Sequence, residues 1–163
     1  MAILDVDTQE KIRIEAESLL QETRFQNIFP CPVEKIISKI GFSGHLFSPD
    51  TETKNISGAV DRHNKKIYIN EEDSAQRRLF TAAHEIGHLR LHPHNDHVDY
   101  RGTFINHDIK EKEADFFAAC LLMPEIAFRK QWQRFSGDVL RLSNYFGTSR
   151  KAILFRADDL GLE

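Results

Sequence analysis

Arg78-Leu79-Phe80-Thr81-Ala82-Ala83-His84-Glu85-Ile86-Gly87-His88-Leu89-Arg90-Leu91-His92 is the stretch from which the rest of this 163-residue chain is read. Its centre spells HEIGH. Residues four apart on a helix are neighbours on one face, so His84 and His88 stand one turn apart, and two imidazoles at that separation can share one zinc ion. Glu85 leaves the helix beside them, where a carboxylate reaches a water at such an ion rather than the ion itself, the arrangement zinc hydrolysis needs. The helix has visible ends: Asp73 and Ser74 offer an N-cap, Leu79, Phe80, Ala83, Gly87 and Leu91 recur at helical spacing, and Pro93 stops it. The alternative is a buried amphipathic helix whose histidines satisfy ordinary hydrogen bonds. It would crowd two imidazoles and Glu85 against an apolar seam, and burying charge without a partner is expensive.

A zinc enzyme requires a third protein ligand, and two routes to it are open. The local route extends the motif to HExxHxxGxxH, whose last position falls on His94, but Leu91 stands where that pattern needs glycine for a sharp turn. The downstream route lies in Glu111-Lys112-Glu113-Ala114-Asp115-Phe116-Phe117-Ala118-Ala119-Cys120-Leu121-Leu122-Met123-Pro124. On a helix turning about 100° per residue, Ala118 and Leu122 fall within about 20° of Glu111, which therefore points inward, while Glu113 falls about 160° away, toward solvent. Spacing alone does not exclude Glu113 in place of Glu111. Asp115 shares the inward face and is placed to accept the free ring N–H of a zinc-bound histidine. Against this stands the plain reading of Glu111 as a capping or surface residue at a helix start.

The two motifs in this order, RRLFTAAHEIGHLRLH and then EKEADFFAACLLMP, resemble the metallo-endopeptidases of the ImmA/IrrE type, which carry HExxH followed by a Glu-bearing helix ending in Leu-Leu-Met-Pro. Ile56 to Val60 and Lys66 to Asn70 match that family's hairpin, and Leu142 to Ser149 its C-terminal helical pair. The resemblance covers about the last two-thirds of the chain. It implies an α+β, zincin-like fold: a small antiparallel sheet packed against the HExxH helix and the Glu-bearing helix, with a C-terminal helix-turn-helix-like part. The expected division is residues 1–124 for the peptidase domain and 125–163 for the helical subdomain.

Composition is that of an ordinary globular chain, 40% hydrophobic and 29% charged. A net charge of -3 argues against a generally basic nucleic-acid binder. The chain opens on no charged-then-apolar leader and has no apolar run of membrane-spanning length, so a cytoplasmic protein is expected. Cys31 and Cys120 alone are too few for a disulfide scaffold. A thiolate from either would serve as an inhibitory fourth ligand, the less favoured reading beside two buried apolar cysteines.

Along the chain, Asp7 with Glu10 reads as a cap for a first helix carrying Ile12, Ala16, Leu19 and Leu20, and Val33 to Ile40 as a second helix stopped by Gly41. Phe42 to Phe47 reads as a strand, and Ile56 to Asn70 as a hairpin turning at His63-Asn64-Lys65. An exposed strand edge beside a zinc helix can hold an extended peptide by backbone hydrogen bonds. The segment between the motifs holds His92, His94, His97 and His107, among which His107, or Tyr100, would steady an oxyanion. Pro124 suits the first turn of a helix running to about Phe135. Helices on either side of Gly147-Thr148-Ser149 read as a helix-turn-helix. From Val139 onward four basic residues face three acidic ones, so partner docking is favoured there over DNA contact.

The expected mechanism places zinc on His84, His88 and Glu111, with Glu85 as the base that activates water against a peptide bond and then protonates the leaving amine. The resemblance implies a substrate class, a helix-turn-helix transcriptional repressor that is cleaved or antagonised to relieve repression under stress or during mobile-element induction. Two alternatives stay open: a non-proteolytic regulator that binds repressor or DNA around a structural metal, and a toxin-like or adaptor protein with a degenerate peptidase fold. Glu85 weighs against both, since a closed structural site has no use for a carboxylate that is not a ligand.

Overall fold

The computed structural model describes residues 4–93, 99–100 and 108–163. The expectations placed on His94, His97, His107 and the Tyr100 side chain fall outside the described residues.

Helix α1 spans Val6–Thr23 and buries Ile12, Ala16, Leu19 and Leu20 along one stripe. Its cap is Asp5, whose Oδ1 accepts from the Thr8 N–H at 2.8 Å, rather than Asp7, which lies in the first turn. Both are short acids at the right place. Asp5 is the one with extended backbone, which is what frees a side chain to fold back on the helix. Helix α2, Val33–Lys39, packs Val33, Ile36 and Ile37 inward, and Gly41, at φ +85°, turns the chain out of it.

The strands are β1, Ser43–Phe47, β2, Gly58–Asp61, β3, Lys66–Asn70, and β4, Asp99–Tyr100, in the order β1-β3-β2-β4. β2 and β3 form the expected hairpin, with Gly58 opposite Ile69 and Asp61 opposite Lys66. Its turn is fixed by Asp61, which accepts from the Asn64 backbone at 3.0 Å and from the Asn64 side-chain amide at 2.8 Å, and by Lys65 in the left-handed region. β4 is antiparallel to β2, but β1 runs parallel to β3, in register from Ser43 and Lys66 to Phe47 and Asn70. The sheet is therefore mixed, a correction to the wholly antiparallel sheet expected from sequence. The loop 48–57 keeps the chain at the end where β1 finishes, so β2 runs back against β1; β3 reverses again and lies between them, which leaves it parallel to β1.

Helix α3, Ala75–Leu91, carries the HEIGH motif, and α4, Asp108–Leu122, the acidic one. They pack antiparallel, as the pairings of His84 with Asp115 and His88 with Glu111 record. A Cβ on Gly87 would stand 3.2 Å from the Ala114 backbone and 3.1 Å from Phe117, so the missing side chain lets the two helices close up beside the motif. Ser74 caps α3 by accepting from the Arg77 N–H at 3.2 Å. Removing that acceptor in Ser74→Ala is expected to cost about 1 kcal/mol, read as a lower urea midpoint at unchanged slope.

Helices α5, Glu125–Arg134, α6, Val139–Phe146, and α7, Arg150–Asp159, complete the chain, with Asp138 and Ser149 capping the last two and Gly147 turning between them. Phe128, Phe146 and Ile153 share one core with Phe117, Leu121 and Ile86. Arg156 is wholly buried, donating from Nε to the Met123 carbonyl at 3.0 Å and from Nη1 to Asp159 at 2.6 Å. It ties α7 to the end of α4. No described helix is long and apolar enough to cross a membrane.

Candidate metal centre

His84 and His88 leave α3 one turn apart and are 0% and 3% exposed. Their rings meet nearly edge to face, at 80°, with Nε2 atoms 3.0 Å apart. Glu111, on the first turns of α4, sends Oε2 to 3.1 Å from His84 Nε2 and Oε1 to 2.9 Å from His88 Nε2. Among the described residues these three supply ligand atoms that all lie within 4.8 Å of one another.

The hydrogen bonds behind the rings decide where the protons sit. His84 Nδ1 lies 2.7 Å from Asp115 Oδ1; a carboxylate accepts, so Nδ1 carries the proton and Nε2 is left as a lone pair. His92 Nε2 lies 2.7 Å from Glu113 Oε2 and donates there by the same argument. Burial outweighs the pull of Glu113 and lowers the His92 imidazole from its ordinary value; with its proton on Nε2 toward Glu113, the neutral ring offers a lone pair at Nδ1. His88 Nδ1 stands 3.1 Å from that atom and donates to it, which leaves His88 Nε2 also as a lone pair.

Two imidazole lone pairs and a carboxylate therefore point at one another. Such a cluster requires a positive centre. A proton on one ring answers one contact, whereas a divalent cation answers all three, and an N,N,O donor set suits zinc. The residues present thus fit the metal that the sequence implies.

Glu85, wholly buried, is not one of the converging atoms. Its carboxylate lies against β2, where a Cβ on Gly58 would come within 3.1 Å of Oε1. The hairpin is fastened to α3 at both ends of the motif: Arg77 donates to Ser57 Oγ at 3.0 Å, and Arg62 to the His88 carbonyl at 3.1 Å.

Several sequence expectations change here. Glu113 is only partly exposed and is not among the converging atoms; it is bound to His92. A helical wheel records where a side chain leaves its own helix, not what the neighbouring element brings to it. His92 is the C-cap of α3, at φ -126° and ψ 59°, outside any helical periodicity. Neither cysteine reaches the cluster among the described residues. Cys31 and Cys120 are 2% and 1% exposed, and burial pushes their thiols up to about 12 and about 11. They stay protonated and poor as ligands, so the inhibitory-thiolate idea falls. The room that Gly58 and Gly87 leave has no signal in the sequence, because it depends on what the neighbouring elements bring against them.

Further along the groove between α3 and α4 lies a cavity of about 480 Å³, bordered by Asp115 and lined by Phe80, Ala119, Met123, Ala152 and Phe155. It reaches α7 at Ala152 and Phe155, and on that helix Leu154 and Phe155 are 55% and 58% exposed.

The profile of the Peptidase_M78 family, described as an IrrE N-terminal-like domain, matches residues 42–158. A protein of Bacillus phage phi105 called "Uncharacterized immunity region protein 2" is 39% identical over 66 residues, 40% of this chain and 42% of its own length. A solved structure titled "Mycobacterium tuberculosis transcriptional regulator" superposes with a TM-score of 0.68 at 14% identity, covering 90% of this chain and 46% of that one. The matches span less than half the length of either relative, and the second speaks for the fold alone.

Proposed function

The chain belongs to the Peptidase_M78 family of IrrE N-terminal-like metallopeptidases, and on that footing we propose that it is a zinc-dependent endopeptidase that cuts a helix-turn-helix transcriptional repressor and so relieves repression. The observation that carries this reading is the convergence of His84 Nε2, His88 Nε2 and Glu111, each as an electron-pair donor, with Glu85 next along the helix. Zinc held by these three supplies an electrophile for a peptide carbonyl and makes water acidic enough to ionise near pH 7. Asp115 fixes the ring of His84. Glu85 takes the proton of the attacking water and hands it to the leaving amine, while its burial against β2 keeps bulk water from competing for that proton.

The repressor as substrate is supported by the resemblance to ImmA/IrrE peptidases and by the phage relative, whose name places it in an immunity region. In this reading residues 1–124 cut, in the cytoplasm, under stress or mobile-element induction, and residues 125–163 help hold the protein substrate. The exposed Leu154 and Phe155 favour protein over DNA as what α7 meets, since a helix reading phosphates and base edges presents cations and amides.

The test is incubation of the purified protein with the repressor encoded by a neighbouring gene, with zinc and with a chelator. A defined repressor fragment is expected with zinc, lost on chelation and restored by returning the metal. An intact repressor that nevertheless co-purifies with the protein would replace this reading with that of a non-proteolytic regulator built round a structural metal.

A further inference from the structure

Helix α4 presents three acids at alternate positions, Glu111, Glu113 and Asp115, and only the first joins the converging atoms. Asp115 meets His84 directly at 2.7 Å. Glu113 reaches the same helix through an intermediary: Glu113 Oε2 to His92 Nε2 at 2.7 Å, then His92 Nδ1 to His88 Nδ1 at 3.1 Å. The side chain of His92 is 8% exposed and that of Glu113 23%, so the chain of bonds is sheltered from water. A surface histidine would swap these partners for solvent. This one lies against His88 with the ring planes tilted by 46° and the centroids 5.3 Å apart.

We propose that His92 and Glu113 are positioning residues for the metal: together they hold His88 in the tautomer and ring angle that aim Nε2 at the cation, as Asp115 does for His84. The inference rests on the zinc assignment above but not on cleavage. Without His92, His88 Nδ1 has no sheltered acceptor, the other tautomer gains population, and the ring is free to turn about its side-chain bonds. Each ligand histidine thus has its own carboxylate on α4, one in contact and one across an imidazole. The pair also latches the C-cap of α3 to α4, so the two helices are held together on the far side of the cluster as well as through it.

The test measures zinc affinity by competition with a chromophoric chelator, in protein purified metal-free and reloaded. His92→Phe keeps a ring of similar size and removes both nitrogens. It is expected to weaken zinc binding about 10- to 100-fold, the usual effect of losing such a partner. The visible absorption of the cobalt-loaded protein is expected to shift as the geometry at His88 relaxes, which a merely structural residue would not cause. Glu113→Gln still offers His92 an acceptor oxygen and should lose less affinity than Glu113→Ala. That order also decides the matter if His92→Phe does not fold, because Glu113 is partly exposed and tolerant. Wild-type zinc affinity and an unshifted cobalt spectrum in His92→Phe, or equal behaviour of Glu113→Gln and Glu113→Ala, would overturn the proposal. Cleavage enters none of these readouts, so a protein that binds zinc as expected yet cuts nothing would sink the peptidase reading and leave this one standing.

Discussion

Glu85→Gln protein is expected to hold zinc as wild type does and to lose cleavage by about 10²- to 10⁴-fold, the range over which a positioned general base acts. Glutamine keeps the shape of the side chain in its wholly buried place but cannot take a proton. Because Glu85 is absent from the set of converging atoms, its replacement leaves the three electron-pair donors intact. His88→Ala removes one of them and is expected to lose metal and cleavage together. The contrast between the two variants matters more than either alone: metal content by elemental analysis, beside the rate on the same preparation, separates loss of a base from loss of the site. Substantial cleavage by metal-loaded Glu85→Gln would remove the general-base role, and loss of its zinc would make Glu85 part of the cage.

What could be read in advance follows from which features are local. His84 and His88 share a face because the helix fixes residues four apart, whatever surrounds them. Glu111 turns toward the cluster because Ala114, Ala118 and Leu121, all buried, share its side of α4, whereas Asp115, with its side chain 47% exposed, meets His84 from the rim. The α+β class was legible for the same reason, through apolar periodicities of about 3.6 and 2. The parallel pairing of β1 was not, because it depends on β3 rather than β2 lying beside β1, a choice made by packing and not by the strands themselves. Nor was the bond from Glu113 to His92, which needs the C-cap geometry of one helix and the packing of another. Asp5 and Asp7 show the same limit at short range: two candidate caps two residues apart are told apart only by backbone conformation.

Gly58→Ala is the second substitution with a large expected effect, and the sequence motif by itself would give no reason for it. A Cβ there would stand 2.5 Å from Thr81 Cγ2, 3.2 Å from the Tyr68 carbonyl and 3.1 Å from Glu85 Oε1. The first distance is impossible without movement. Thr81 is wholly buried and, being β-branched, cannot swing its methyl away cheaply. β2 cannot simply retreat either, because Gly58 is paired with Ile69 on β3. The strain falls on the contact between β2 and α3, and is expected to lower stability by about 1–3 kcal/mol, seen as a reduced urea midpoint. A shift of α3 carries Glu85 with it, and a displacement of about 1 Å at a catalytic group can cost about 10²-fold in rate. Adding Thr81→Ser removes the methyl in the way. The double variant should recover most of the stability but less of the activity, because the new Cβ still crowds Glu85 Oε1. Parallel recovery of both would mean that Gly58 only makes room for a helix. A single variant as stable and active as wild type would mean that β2 does not set the position of Glu85 at all.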